Sequence, residues 1–144
     1  MLFRKMERAD LAQVVSIESE VFSDPWSLSS FIEDLDNAVA LPMVLEIENK
    51  ILGYANLYLA ADELQIGNFA ISPSYRRRGA GKYMMNEIIA IAQKRKFSEI
   101  ILEVRESNIA AINLYSSFGF ETIDVRKNYY RSPRENAIVM IKEI

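Results

Sequence analysis

The tightest constraint on the fold lies mid-chain, where an apolar strand, a cationic glycine turn, an amphipathic helix and a second apolar strand follow without a break. "ELQIGNFAIS" (63–72) reads as a strand that ends at Pro73, and "YRRRGAGK" (75–82) follows it. Tyr83, Met84, Met85, Ile88, Ile89 and Ala92 then keep one helical stripe, closed by the basic turn "QKRK", before the strand "SEIILEV" (98–104). This order specifies a mixed α/β domain and puts the cationic turn at the C-terminal end of a strand, where sites of α/β folds collect.

The flanks extend the same pattern. Asp10 reads as the N-cap of a helix over "LAQVVSIESEVF", in which Leu11, Val14, Val15 and Glu18 share a face, and Ser27 as the cap of "LSSFIEDL". "LPMVLEIENKILGYANLYLA" reads as two strands joined around Glu48, Asn49 and Lys50. After the central unit come a helix over "NIAAINLYSSF", closed by Gly119, and a hairpin of "FETIDVRKNYY" with "NAIVMIKEI". No linker, repeat or low-complexity tract divides the chain, so residues 1–144 read as a single domain.

The chain has neither cysteine nor histidine. Thiol nucleophiles, disulfides, Cys/His zinc sites and Ser-His or Cys-His pairs are thereby excluded, leaving carboxylates, hydroxyls, backbone amides and bound small molecules to carry any chemistry. No metal is expected. A net charge of -3 argues against broad nucleic-acid binding, so the arginine cluster is local and its target small. No apolar run approaches the roughly 18 residues of a membrane span, and the N-terminus lacks a signal-peptide core, which implies a cytoplasmic protein.

Backbone N–H groups in the first turn of a helix lack internal partners and carry the positive end of the helix dipole. Gly79 and Gly81 leave those amides uncovered, while Arg76, Arg77, Arg78 and Lys82 add mobile positive charge around Ala80. The combination suits a pyrophosphate, although "RRRGAG" alone equally suits a solvated basic turn. There is no GxxxxGK[ST], and no GxGxxG with an acidic residue about 20 positions later, so neither familiar nucleotide loop is present.

What remains, Arg-x-x-Gly-x-Gly between strand and helix, resembles the acyl-coenzyme A loop of the GCN5-related N-acetyltransferases. Further residues carry the resemblance: "DPWS" (24–27), "NFAISP" (68–73), "LEVRESNIAAINLYSSFGF" (102–120) and "RKNYYRSPRENAIVM" (126–140). Within that superfamily the chain is most similar to the RimI-type enzymes, which acetylate the N-terminal alanine of a small-subunit ribosomal protein. The loop marks only the superfamily; the later elements, agreeing in order and spacing, are more specific.

The resemblance implies a mostly antiparallel sheet of about seven strands with one splayed parallel pair, and about four helices. Acetyl-CoA would lie in the splay against the backbone of Phe69, Ala70 and Ile71, with Asn108 as a further contact besides capping its helix. Glu103 would be the general base. It follows "IIL", a strand apolar enough to suggest burial on both faces, and its reference pKa near 4.3 against about 8 for an α-amine calls for a raised value or a water relay. Tyr115 would return a proton to the thiolate, and the amide of Ile71 or a neighbour would face the oxyanion. A cysteine-bound acetyl intermediate is impossible here, which favours direct attack in a ternary complex.

Trp26, Tyr129 and Tyr130 would frame the acceptor, a protein N-terminus, with Asp24, Glu20 or Glu103 meeting its positive charge. Two departures from the RimI pattern stand out: Pro-Arg-Glu-Asn-Ala in the last hairpin where Glu-Asp-Ala is frequent, and Ala80 where leucine or isoleucine is common. They leave open a lysine side chain or small amine as acceptor. A non-catalytic acyl-CoA sensor and, more weakly, an RNA-associated partner are the alternatives from other classes. A monomer or weak dimer is expected.

Overall fold

A computed structural model describes residues 1–144 as one seven-stranded mixed sheet with four α-helices. In chain order the elements are β1 (Leu2–Lys5), α1 (Leu11–Val21), α2 (Leu28–Leu35), β2 (Ala40–Ile47), β3 (Lys50–Ala60), β4 (Glu63–Ile71), α3 (Ala80–Lys94), β5 (Glu99–Arg105), α4 (Ile109–Ser117), β6 (Glu121–Arg131) and β7 (Arg134–Glu143). The sheet order is β1-β2-β3-β4-β5-β7-β6, and only β4 and β5 run parallel. β4 and β5 are joined by a single helical crossover through α3, which returns the chain in the same direction, whereas β1 and β2, joined through the two helices α1 and α2, pair antiparallel. No helix is long and apolar enough to cross a membrane.

Period-two alternation divides the core between the two faces. Val44 and Tyr54 pack with Val14, Ile17 and Phe31 of α1 and α2, whereas Met43, Leu45 and Ala55 pack with Met84, Met85 and Ile88 of α3. β5 shows the same alternation. Ile100, Leu102 and Val104 are buried, but Ile101, Glu103 and Arg105 on its other face are only half-buried, correcting the expectation of two covered faces. The apolar "IIL" run thus conceals a strand with one wall open to a groove.

Ser27 caps α2 as expected, its Oγ accepting from the Ser30 N–H at 3.3 Å. Asp10 does not cap α1. It closes the short 3-10 turn before it, accepting the Glu7 N–H at 2.8 Å and a two-pronged donation from the Arg4 guanidinium at 2.8 and 2.9 Å. Arg4 belongs to β1, a strand that the sequence pattern does not reveal, and Arg4 also donates to Glu46 at 2.7 Å. Asp10 therefore ties an edge strand to the helix layer.

The Arg4 guanidinium holds the buried Asp10 carboxyl below the usual carboxylate range. A lowered folded-state value means that this stabilisation is complete above the unfolded-state value of about 3.9 and is lost as pH falls through the folded one. Asp10→Asn is expected to cost about 1–3 kcal/mol at pH 7. Urea unfolding should show wild type and variant converging in acid; a constant gap from pH 7 to pH 2 would exclude the charge.

Candidate active site

The site begins with a count mismatch between β3 and β4. Ala55 faces Phe69 and Leu57 faces Ile66, so one residue of β3, Asn56, opposes two of β4, Gly67 and Asn68. The extra residue is a β-bulge, which bends β4 away from its other neighbour. The parallel ladder to β5 accordingly stops at Ile66↔Leu102, although β4 continues to Ile71 and β5 to Arg105. Beyond the bulge the β5-facing edge of β4 has no strand partner.

Alternation decides which amides look into that opening. The Ser72 N–H donates to Leu52 O at 2.7 Å, so the amides of Ser72 and Ala70 turn toward β3 and those of Ile71 and Phe69 turn outward. The expected trio is thus reduced to two open amides, with Ala70 buried as part of the wall. Gly53 fixes how closely β3 supports this segment. A Cβ there would lie 2.6 Å from Ala70 O and 2.7 Å from Ile71 Cδ1. Gly53→Ala is expected to displace the end of β4 and cost about 1–3 kcal/mol, read by urea unfolding; an unchanged midpoint would show that β4 yields freely.

The cationic turn follows directly. Pro73–Tyr75 form a 3-10 turn, and Gly79 takes a left-handed conformation (φ 79°) as the residue before α3, which explains a glycine there better than close ligand approach does. A Cβ on Gly81 would touch Leu114 of α4 at 3.4 Å, so the first turn of α3 sits against α4. Arg76 lines the groove described next, whereas Arg77, Arg78 and Lys82 point to solvent outside it, and Ala80 is buried. Arg78 and Lys50 each lie over the Tyr75 ring, 5.7 and 5.2 Å from its centroid.

Two cavities meet at the splay. The larger, about 960 Å³, is lined by Phe69, Arg76, Asn108 and Tyr115; the smaller, about 490 Å³, by Tyr58, Ile101, Arg126 and Tyr129. Both share Trp26, Gly67, Asn68, Glu103 and Tyr130, so Glu103 stands at their junction. Asp24 lines the larger cavity; Glu20 is exposed and lines neither.

Glu103 sits on β5 opposite Val139 of β7, its side chain 28% exposed and 3.6 Å from the Arg126 Nε. Arg126 also lies 5.7 Å from the centroid of Tyr129, which meets Tyr130 edge-on at 5.1 Å. The Glu103 carboxylate, then partial burial, raises the Tyr129 phenol, and burial followed by Glu103 pushes Tyr130 up to about 12. Both phenols remain neutral at pH 7.

Tyr115, 5% exposed, packs edge-on against Phe69 at 5.8 Å and tilted against Phe120 at 5.9 Å. Burial, with a smaller contribution from Tyr130, lifts its phenol well above the ordinary range. Asn108 caps α4, its Oδ1 accepting the Ala111 N–H at 3.2 Å. The structure therefore brings Glu103, Tyr115, Asn108, Trp26 and Tyr130 around one groove, with Tyr129 on the smaller side.

Several residues escaped the sequence reading. Arg105 stacks over Tyr130 at 4.3 Å and donates to Pro133 O at 2.9 Å, to Ser132 O at 3.3 Å and to Glu135 at 3.2 Å, clamping the β6–β7 turn onto β5. The Ser23 hydroxyl donates to Ser132 O at 2.5 Å, which joins the α1–α2 loop to the same turn. Glu18 is buried in the wall of the larger cavity; its signal was a carboxylate on the apolar stripe of a helix.

The sequence profile of the acetyltransferase (GNAT) family matches residues 11–120. The [ribosomal protein bS18]-alanine N-acetyltransferase of Escherichia coli K12 is 35% identical over 137 residues, covering 94% of this chain and 92% of that protein. The enzyme of the same description from Haemophilus influenzae is 34% identical over 142 residues, covering 96% of each. The crystal structure of the ribosomal-protein-S18-alanine N-acetyltransferase from Escherichia coli superposes with a TM-score of 0.92 at 34% identity, covering 99% of this chain and 93% of that one.

Proposed function

Since the chain belongs to the GNAT acetyltransferase family, we propose that it moves the acetyl group of acetyl-CoA to the N-terminal amino group of a protein, namely the alanine of ribosomal protein bS18. The observation that carries this reading is the junction at Glu103, where a groove built around an open strand edge meets one lined by Trp26, Tyr129 and Tyr130. A bacterial ribosomal protein as acceptor puts the reaction in the cytoplasm.

Acetyl-CoA is a substrate here, and the residues suit it. The outward amides of Phe69 and Ile71 can bond an extended amide-bearing arm in place of the absent strand, and Arg76 with the start of α3 complements phosphate charge. The Ile71 N–H faces the carbonyl oxygen as negative charge develops on it. Glu103 accepts a proton from the amine, and Tyr115, held protonated by burial, supplies one to the departing sulfur. With an α-amine near pKa 8 and a thiol near 8.5, neither transfer is far from neutrality, so modest assistance suffices.

The test uses labelled acetyl-CoA with peptides beginning Ala, Ser, Met or Gly, and locates the modified nitrogen by mass spectrometry. Label on the terminal nitrogen, greatest with the Ala peptide, is expected. Label confined to lysine side chains or polyamines would replace the acceptor while leaving the enzyme class intact.

A further inference from the structure

Glu18 is 1% exposed and has no cation beside it. Its polar neighbours are three neutral donors: the Trp26 N–H at 2.9 Å, the Tyr54 hydroxyl in a short contact, and the Asn68 Nδ2 at 2.9 and 3.0 Å from its two oxygens. Burial raises the Glu18 carboxyl above the ordinary range, and the hydrogen bonds from Trp26, Tyr54 and Asn68 oppose that rise, so its oxygens are matched on every side by neutral partners. A buried carboxyl of this kind is costly unless its oxygens are matched, which argues against a purely packing role.

The three donors come from different parts of the site. Trp26 belongs to the α1–α2 loop and Asn68 to the β4 bulge, and both line the cavities that meet at Glu103. Tyr54 lies behind them and packs edge-on against Phe31 at 5.8 Å, and Phe31 in turn meets the Trp26 ring at 5.4 Å. Trp26 is therefore held twice, by its amide through Glu18 and by its ring through Phe31.

We propose that Glu18 is a positioning residue for the acceptor: its carboxyl group ties the Trp26 loop to the Asn68 bulge and sets the width of the groove that leads to Glu103. The role rests on reading that groove as the path of the acceptor peptide. Glu18 lines the larger cavity, but its hydrogen bonds go to Trp26, Asn68 and Tyr54 and not to the Phe69–Ile71 edge or Arg76, so acceptor and acetyl-CoA respond differently to its loss.

Steady-state kinetics of the full chain with an Ala-initiated peptide test this, together with emission from Trp26, the one tryptophan. Glu18→Gln places an amide NH2 among donors. It is expected to raise the peptide KM about ten-fold or more, keep the acetyl-CoA KM within about two-fold, and move Trp26 emission to longer wavelength. Glu18→Asp keeps the carboxyl on a shorter arm and should shift the peptide KM the same way if Glu18→Gln does not fold. Tyr54→Phe leaves the bonds to Trp26 and Asn68 in place and should change the peptide KM by less than about three-fold. Unchanged peptide KM in the Gln and Asp variants, or equal rises in both KM values, would overturn the assignment. Failure of the wild-type chain to acetylate any peptide would instead remove the acceptor reading on which it rests.

Discussion

Glu103→Gln is expected to lower kcat by about 10²- to 10⁴-fold while the acetyl-CoA Kd stays within about two-fold. Glutamine preserves the shape at the junction of the two cavities but accepts no proton from an ammonium. Arg126 at 3.6 Å would lose its charged partner, yet it is half-exposed and its guanidinium still has the Tyr129 ring, so the local structure should persist. Initial rates with the Ala peptide and calorimetric titration with acetyl-CoA separate the two quantities. A kcat reduced less than about three-fold would place the proton acceptor elsewhere or in solvent.

Tyr115→Phe is expected to lower kcat by about 10²-fold with little change in stability, because the ring contacts with Phe69 and Phe120 survive the loss of the hydroxyl. Burial raises the phenol, so the proton is present throughout the neutral range. In the proposed mechanism it meets negative charge on the leaving sulfur, and the defect should therefore shrink with an acyl donor whose thiol is more acidic. A defect independent of thiol acidity would mean that Tyr115 only shapes the pocket. A simultaneous loss of stability would point the same way.

The elements that carry these two residues were legible from local pattern, an apolar strand for Glu103 and a capped helix for Tyr115, whereas the roles proposed for them come from the family resemblance. Six of the seven strands and all four helices were legible from such local pattern. What escaped is relational. β1 is four residues long, and only its pairing with β2 makes it a strand. The bulge at Gly67 and Asn68 exists only against Asn56 of β3, and without it the distinction between the outward amides of Phe69 and Ile71 and the inward one of Ala70 has no meaning. Asp10 looked like a helix cap because the Arg4 that claims it lies on that unrecognised strand.

Charge gave a similar lesson. Four cations around Gly79 and Gly81 read as one anion site, but of their side chains only Arg76 reaches the groove, because the left-handed turn at Gly79 and the start of α3 send the others outward. Arg105, by contrast, sits in a strand and was quoted only as part of the family pattern with no role of its own, although its side chain organises the hairpin that carries Tyr130.

The central claim is that the thioester substrate completes the sheet where β4 parts from β5. Amide hydrogen exchange measured with and without acetyl-CoA tests it at the backbone itself. Exchange at Phe69 and Ile71 should slow on addition of the ligand, while Glu63–Ile66, already paired with β5, should stay unchanged. Saturating acetyl-CoA that leaves Phe69 and Ile71 exchanging at their original rates would contradict the account.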